Sequence, residues 1–377
     1  MALEAATNPL VAAQIEPSSP SPSASNESRP SRSARPASVD RPKSNVDLRF
    51  LQNRRTYHSL PPEDAAPPLL DSEQQPSPDT PLPALLRGSH FGRAAETAAR
   101  DLLRCSPTDA ESIFQLLYTR LACLVLVSRP DLAAQEASPL ADLLARNPPS
   151  ATEVVVLIPW ELRLLLVRLK SLSSEDGGRR GVMALYGLAG EARTHLKQMH
   201  MDEDEREHAL WSERLHDLGL RVADALVEMG ELETAERHLD SLTGVALDEI
   251  VYRKAMLRIH VGDLRGAERY FSKLESGNRN DTLETLLKMA DGQDATSRWQ
   301  DLLAQRSDDD MVANNLAVSS LYAGNIMDAR RILERTVSRS PASAGILFNI
   351  NTVYELCSER AIDHKIDLAD PMRHEEG

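Results

Sequence analysis

The sequence is poor in aromatic residues and in cysteine. Aromatic side chains make up 4% of its 377 residues, and it contains 3 cysteines. A core with so few aromatics has to be built from leucine, alanine and valine, which favours α-helices and argues against a β-sandwich. Because Cys105, Cys123 and Cys357 have neither disulfide nor metal-binding spacing, we expect a reducing, cytoplasmic environment.

Long apolar runs are also missing. The most apolar stretch, residues 121–127, is far too short to cross a bilayer. The first residues have no basic region that leads into an apolar run, so we expect no signal peptide. The formal net charge is −14, and the excess of acidic residues lies entirely after residue 60. An acidic body repels phosphates, so we expect no nucleic-acid partner.

What the sequence does contain is a repeated frame of small residues. A glycine is followed five residues later by an alanine, which has a small partner twelve residues before it. This frame is typical of tetratricopeptide-like helix pairs, in which the glycine makes the turn and the small residues let two helices approach closely. The residues assigned to this packing are Ala95, Ala99, Ala223, Gly230, Ala235, Ala255, Gly262, Ala267, Ala317, Gly324 and Ala329.

Ala134 also finds its small partner, Ala122, twelve residues before it, so four pairs match in one phase. A fifth unit fits the frame less closely, because Ala290 replaces the glycine, Ala295 follows it, and Leu283 stands where a small residue is expected. We predict an all-α, tetratricopeptide-like α-solenoid of antiparallel helix pairs with a disordered N-terminal tail. The alternative is a generic α-helical bundle with incidental alanines.

Composition divides the chain into four parts. Residues 1–45 form a Ser/Pro-rich tail that we expect to be disordered, because it has almost no large apolar residues to bury. Residues 46–82 form an extended arm with an apolar island from Phe50 to Pro61. Residues 83–204 contain divergent helical repeats, and residues 205–377 contain tetratricopeptide-like repeats. The island docks either on the first helices of this chain or on a partner, and the sequence leaves both open.

No arrangement of residues suited to catalysis stands out. His195, His200 and His208 lie near carboxylates, but no two of them are four residues apart on a helical face. The sequence has no phosphate-binding loop and no complete calcium loop. We expect no catalytic residue, no metal and no cofactor, and predict that the protein is not an enzyme. A weaker hypothesis is a carboxylate clamp, in which Asn314 and Asn315 would hold the C-terminus of a peptide.

The C-terminal part carries more specific motifs, among them an Asn-Asn pair on a first helix. The segments are Val312–Val318, Leu321–Gly324, Leu347–Asn349 and Thr352–Leu356. Together they resemble the subunit 12 family of the trafficking protein particle (TRAPP) complex. Ile158-Pro159-Trp160 and the apolar island are similar to segments of the same family in the same order, so the resemblance spans residues 50–358. It departs from the family around residues 276–300, and the tail before residue 45 matches nothing in it.

The resemblance implies a non-catalytic helical-repeat subunit. TRAPP is a multisubunit tether and exchange factor for a Rab GTPase in early secretory (ER to Golgi) and autophagy-related traffic, and its exchange site belongs to other subunits. The expected partners are other TRAPP subunits, above all another large complex-specific subunit, with an indirect link through the complex to the Rab GTPase and to membranes. The expected location is cytoplasmic and peripheral to Golgi and ER–Golgi membranes.

The same resemblance suggests a candidate partner surface on the last helices. Its residues are Asn314, Asn315, Tyr322, Asn349, Tyr354 and Glu355. Phe348 carries the same pattern but is expected in the core. The competing interpretation of the polar residues is helix-to-helix hydrogen bonding inside the terminal repeat. The alternative function is a free-standing tetratricopeptide adaptor that binds a partner peptide in its concave groove.

Overall fold

A computed structural model describes most of the chain after the tail. The described residues are 46–60, 76–77, 79–88, 90–146, 151–172, 176, 178–198, 205–274, 277–339 and 344–369. Within these ranges the chain forms seventeen α-helices and one short 3-10 turn, with no β-strand. The prediction of an all-α chain is therefore confirmed, whereas the tail predicted for residues 1–45 lies outside the described residues.

The helices follow one another closely along the chain. Their bounds are α1 Leu82–Arg87, α2 Phe91–Leu102, α3 Ala110–Leu126, α4 Pro130–Arg146, α5 Ala151–Leu157, α6 Trp160–Leu172, α7 Arg179–Gln198, α8 Glu205–Glu228, α9 Leu232–Ser241, α10 Leu247–Val261, α11 Leu264–Phe271, α12 Asn278–Ala290, α13 Thr296–Gln305, α14 Asp310–Tyr322, α15 Ile326–Arg339, α16 Ala344–Cys357 and α17 Ala361–Ala369. Most packing joins helices that are neighbours in sequence. This is the pattern of a solenoid, in which each unit rests on the one before it.

The apolar core is divided into successive clusters rather than gathered in one centre. The largest N-terminal cluster joins α3, α4 and α6, and the next joins α7, α8 and α9. A third runs from α10 to α14, and the last joins α14 to α17. Since α7 and α8 share a core, the domain boundary predicted at residue 204 separates two helices that pack together.

Three of the turns between helices depend on glycine. Gly230, Gly262 and Gly324 have φ of 76°, 82° and 84°, a left-handed conformation that strains residues with a Cβ. No neighbour lies within 4 Å of the position a Cβ would take at any of the three, so the requirement is conformational rather than steric. In each case a single residue separates the glycine from the next helix, which fixes the phase of that helix.

The small residues of the repeat frame lie in the core. Ala235, Ala267 and Ala329 on the second helices are fully buried, and Ala223, Ala255 and Ala317 on the first helices are buried opposite them. Ala95 and Ala99 are buried on α2. A side chain no larger than a methyl group at these sites lets the backbones of paired helices come close.

Two units depart from the frame in the structure: the fifth unit, which fitted it less closely, and the unit of Ala122 and Ala134, for which the predicted match is wrong. The left-handed residue before α13 is Gly292, with φ of 75°, and Ala290 is instead the last residue of α12. Three residues then intervene before α13, and the indole of Trp299 is fully buried in that unit. On α4 the fully buried alanine is Ala133, whereas Ala134 is only half-buried, so that frame is displaced by one residue.

The described part of the arm packs on the first helices of its own chain. Leu48 and Leu51 are buried in the α3–α4 core. The side-chain amide of Gln52 donates to the carbonyl oxygens of Leu102 and Cys105, at 2.9 and 2.8 Å. The apolar island therefore docks in cis, which decides between the two possibilities that the sequence left open.

A buried ion pair holds the end of this arm. The Arg120 guanidinium donates to both carboxylate oxygens of Glu136, at 2.8 and 2.7 Å, and both side chains are almost completely inaccessible. The backbone of His58 completes the site, because its N–H donates to Glu136 at 2.8 Å and its carbonyl accepts from Arg120 at 2.5 Å. Each buried charge thus has several partners, which a buried pair needs to offset its loss of hydration.

Candidate partner surface on the terminal helices

The asparagines predicted to face a partner lie between helices instead. Asn314 on α14 and Asn349 on α16 are buried, and the Asn349 amide donates to the Asn314 carbonyl oxygen at 2.7 Å. Asn315 is 2% exposed, and its amide points at the Met311 sulfur at 3.2 Å. These contacts agree with the second interpretation given above, that the polar residues form hydrogen bonds inside the terminal repeat rather than a partner surface. They also leave neither asparagine available for the carboxylate clamp.

Tyr354 belongs to a second internal cluster, which ties α16 to α15. Its hydroxyl donates to Glu334 at 3.0 Å, and Arg330 donates to the same carboxylate at 2.8 Å. The Arg330 guanidinium also lies 5.3 Å from the centroid of the tyrosine ring, and the His364 ring of α17 packs on the ring at 5.3 Å. Burial, with Glu334 as the second cause, raises the pKa of Tyr354 well above its ordinary value. The residue therefore orients three helices rather than facing solvent.

Two of the six predicted residues are accessible. Tyr322, at the end of α14, is 69% exposed. Glu355 is exposed on α16, where its carboxylate accepts from Lys365 of α17 at 2.5 Å. An exposed ion pair of this kind contributes little to stability, so Glu355 remains accessible to a partner.

The expectation for Phe348 is wrong, because this side chain is 55% exposed rather than buried in the core. Ile346, Ile350 and Val353 take the inward face of α16, and Phe348 lies on the other side of the helix. Leu356, two turns further on, is 57% exposed. Thr352 falls between them, so the three residues form one line along α16, named here the α16 stripe.

Further apolar side chains are exposed near this end of the solenoid. Ile362 and Ile366, one turn apart on α17, are both exposed, as is Leu347 on α16. Our prediction missed a signal for this surface in the sequence. Phe348 lies midway between Ile346 and Ile350, two residues from each, which places it on the face of α16 opposite these inward-facing residues.

No group of three or more His, Cys, Asp or Glu side chains in the described ranges is placed to hold a metal ion. His195 stacks on Trp211 with ring centroids 4.2 Å apart, and His208 lies on the neighbouring helix α8. His200 lies outside the described residues. None of the described helices has the length and apolar character needed to cross a membrane.

The described residues define a class of protein: a stack of paired helices with exposed helix faces. No protein-family model matches the chain. The chain is 26% identical over 249 residues to trafficking protein particle complex subunit 12 of Mus musculus, covering 61% of this chain and 29% of that protein. The Homo sapiens protein of the same name is 25% identical over 186 residues, covering 45% of this chain and 25% of that protein.

The chain therefore spans less than a third of the length of these two relatives. Among solved structures, a chain described as the assembly chaperone of RpL4 (Acl4), residues 1–338, is 14% identical. The superposition covers 75% of this chain and 96% of that one, with a TM-score of 0.25. A likeness this low carries no argument about fold or function.

Proposed function

We propose that the protein is a non-catalytic scaffold subunit of a TRAPP complex. The observation that carries the proposal is the similarity over 249 residues to TRAPP subunit 12, in a chain whose described part is helical and contains repeated helix pairs. By this proposal the chain holds other TRAPP subunits in place, among them another large complex-specific subunit. Its link to a Rab GTPase and to membranes is indirect, through the complex. It acts in the cytoplasm, peripheral to Golgi and ER–Golgi membranes, in early secretory and autophagy-related traffic.

The partner surface in this proposal is the α16 stripe with its exposed neighbours. Phe348 and Leu356 are large apolar side chains that remain in water in the isolated chain. Burying an apolar side chain contributes about 1.5–3 kcal/mol, and aromatic anchors dominate many interfaces. Tyr322 and Glu355 would lie at the polar rim of such an interface. Asn315 and Tyr354 would act indirectly, by fixing the helices that carry the surface.

The test is affinity purification of the tagged full chain from cells, with size fractionation and identification of the proteins that co-purify. A TRAPP subunit should elute with other TRAPP subunits in an assembly many times its own 41.6 kDa. Elution as a monomer, with no TRAPP subunit present, would contradict the proposal and favour the free-standing adaptor. Assays of the purified chain for nucleotide exchange and hydrolysis should show no activity above background.

A second experiment tests whether the α16 stripe is the surface that binds the partner. Phe348→Asp with Leu356→Asp should reduce co-purification at least tenfold while the helical signal and melting temperature stay unchanged. The matched control is Met183→Asp with Leu210→Asp, two exposed apolar residues on α7 and α8. Equal loss in both pairs would show a general effect of added charge. Asn315→Ala with Tyr354→Ala should instead lower the melting temperature, because both residues are buried.

A further inference from the structure

A groove of about 320 Å³ lies between α13, α14 and α15, and none of its lining residues is on α16. Leu303 and Ala304 of α13 line one side and Ile332 of α15 lines the other. Its floor is formed by Ala313 and Leu316 of α14, both buried. Ala304 is exposed, and its small side chain leaves the groove open to solvent. The floor and part of the walls are therefore apolar, and Gln300 and Ser307 add polar side chains to the lining.

Two polar side chains of the groove already have partners. Arg339 donates to Asp308 and Asp310, at 3.2 and 2.8 Å, and to the carbonyl oxygen of Ser307. The hydroxyl of Thr336, at the buried edge of the groove, donates to the carbonyl of Ile332 at 2.9 Å. These groups do not require a ligand to satisfy their hydrogen bonds.

Arg335 is different. It lines the groove, its side chain is exposed, and it has no hydrogen-bond or ion-pair partner among the described residues. The other three arginines of α15 are already paired with carboxylates: Arg330 with Glu334, Arg331 with Asp328, and Arg339 with Asp308 and Asp310. The groove thus combines an apolar floor with one unpaired guanidinium at its edge. A guanidinium of this kind suits a carboxylate, which it can hold through two parallel hydrogen bonds.

We propose that this groove binds a short peptide segment of a partner protein, with a large apolar side chain in the groove and a nearby Asp or Glu on Arg335. Its volume is at the low end of the roughly 300–1,000 Å³ of small-molecule sites, which suits one or two side chains. The unpaired Arg335 selects an acidic rather than a basic peptide. The groove is built largely from second helices, so it differs from the concave groove of the adaptor alternative. The inference does not rest on the TRAPP proposal.

The experiment selects random heptapeptides displayed on phage against the immobilised full chain. The enriched peptides should share a Leu, Met, Ile or Phe with an Asp or Glu one to four residues away. An Arg335→Glu chain should no longer enrich them. The matched control is Arg331→Glu, the same change one turn earlier on α15 at a residue outside the groove. Enrichment of no peptide, or of peptides without an acidic residue, would overturn the proposal.

Titration of one enriched peptide, labelled with fluorescein, locates the site. Ala304→Phe fills the groove and should weaken binding at least tenfold, as should Arg335→Glu. Gln305→Phe places the same ring on an exposed neighbouring position of α13 outside the groove and should change binding less than twofold. Equal binding to the Ala304→Phe chain would place the peptide elsewhere. Binding that appears only after residues 370–377 are deleted would assign the groove to the chain's own segment instead of a partner.

Discussion

Residues 205–339 and residues 46–172 stack helices by different means. In the C-terminal region the turns after α8, α10 and α14 use a left-handed glycine. In the N-terminal region the one described residue with positive φ is Ser128, at 61°, in the turn between α3 and α4. The C-terminal units that begin with α8, α10 and α14 depend on the same local rules. The N-terminal unit depends on contacts between residues far apart in sequence, such as those of the arm with Arg120 and Glu136.

This difference explains which parts of the structure could be predicted. Turns that require glycine and helix pairs that require alanine produce a regular spacing of these residues in the sequence. The frame that includes Gly262 and Ala267 was predicted from this spacing. A buried ion pair produces no such spacing, because Arg120 and Glu136 are sixteen residues apart on different helices. The N-terminal region is also where the predicted frame was displaced by one residue. The two regions can be compared directly by substitution.

The largest effect is expected at the buried ion pair of the N-terminal region. Glu136→Ala should destabilise the fold by about 3–5 kcal/mol, because it leaves the Arg120 charge buried without its carboxylate and removes the acceptor of the His58 N–H. Urea denaturation followed by circular dichroism measures this loss.

The control for that measurement lies on the same helix. Asp142 pairs with Arg146 at 3.9 Å in an exposed position, so Asp142→Ala should cost less than about 1 kcal/mol. If Glu136→Ala and Asp142→Ala lower the free energy of unfolding equally, the buried ion pair does not hold the arm. The proposed difference between the two regions would then be wrong.

A smaller effect is expected from enlarging the alanines. Ala267→Leu should overpack the contact between α10 and α11 and destabilise the fold by about 1–3 kcal/mol, because Ala267 is fully buried. In the N-terminal region Ala133→Leu should behave in the same way, whereas the half-buried Ala134 should tolerate leucine. Thermal melting of the three variants tests this. If Ala134→Leu lowered the melting temperature as much as Ala133→Leu, the frame predicted from the sequence, with Ala134 in the helix contact, would be correct.

The candidate surface was less predictable than the fold, for a physical reason. Helical spacing shows which residues share a face, but it does not show whether that face meets another helix or water. Asn314 and Asn349 are polar and were candidates either for a partner surface or for hydrogen bonding between helices, and the structure shows that they bond to each other across two helices. Phe348 is apolar and was expected inside, yet other side chains of α16 fill the core. Deciding these cases requires the three-dimensional contacts.

The turns allow a reciprocal test with opposite signs. Gly262→Ala should destabilise the C-terminal region by about 1 kcal/mol, because alanine is strained at φ of 82°. Ser128→Gly should stabilise the N-terminal region by a similar or smaller amount, because it relieves the same strain at φ of 61°. Gly190→Ala, inside α7 with no neighbour within 4 Å of a Cβ, controls for helix propensity and should stabilise. If Gly262→Ala and Ser128→Gly changed the stability in the same direction, left-handed backbone strain would not explain the two turns.

The smallest effect is a dependence on alkaline pH that both regions should share. Burial raises the pKa of Tyr57 in the arm and of Tyr354 on α16, with a nearby glutamate as the second cause in each. The unfolded chain releases these phenolic protons near pH 10 and the folded chain retains them. The stability that these two protons contribute is therefore fully present below pH 10. It falls as the pH rises towards the folded pKa, by somewhat less than about 1 kcal/mol per tyrosine at pH 10.5.

Tyr57→Phe and Tyr354→Phe should each reduce the loss of stability between pH 8 and pH 10.5, measured by urea denaturation, and the exposed Tyr322→Phe serves as the control. A reduction for Tyr354 alone would show that the hydroxyl of Tyr57, which donates to the carbonyl of Leu51 at 2.5 Å, is open to water, and that the arm is held less firmly than the C-terminal repeats.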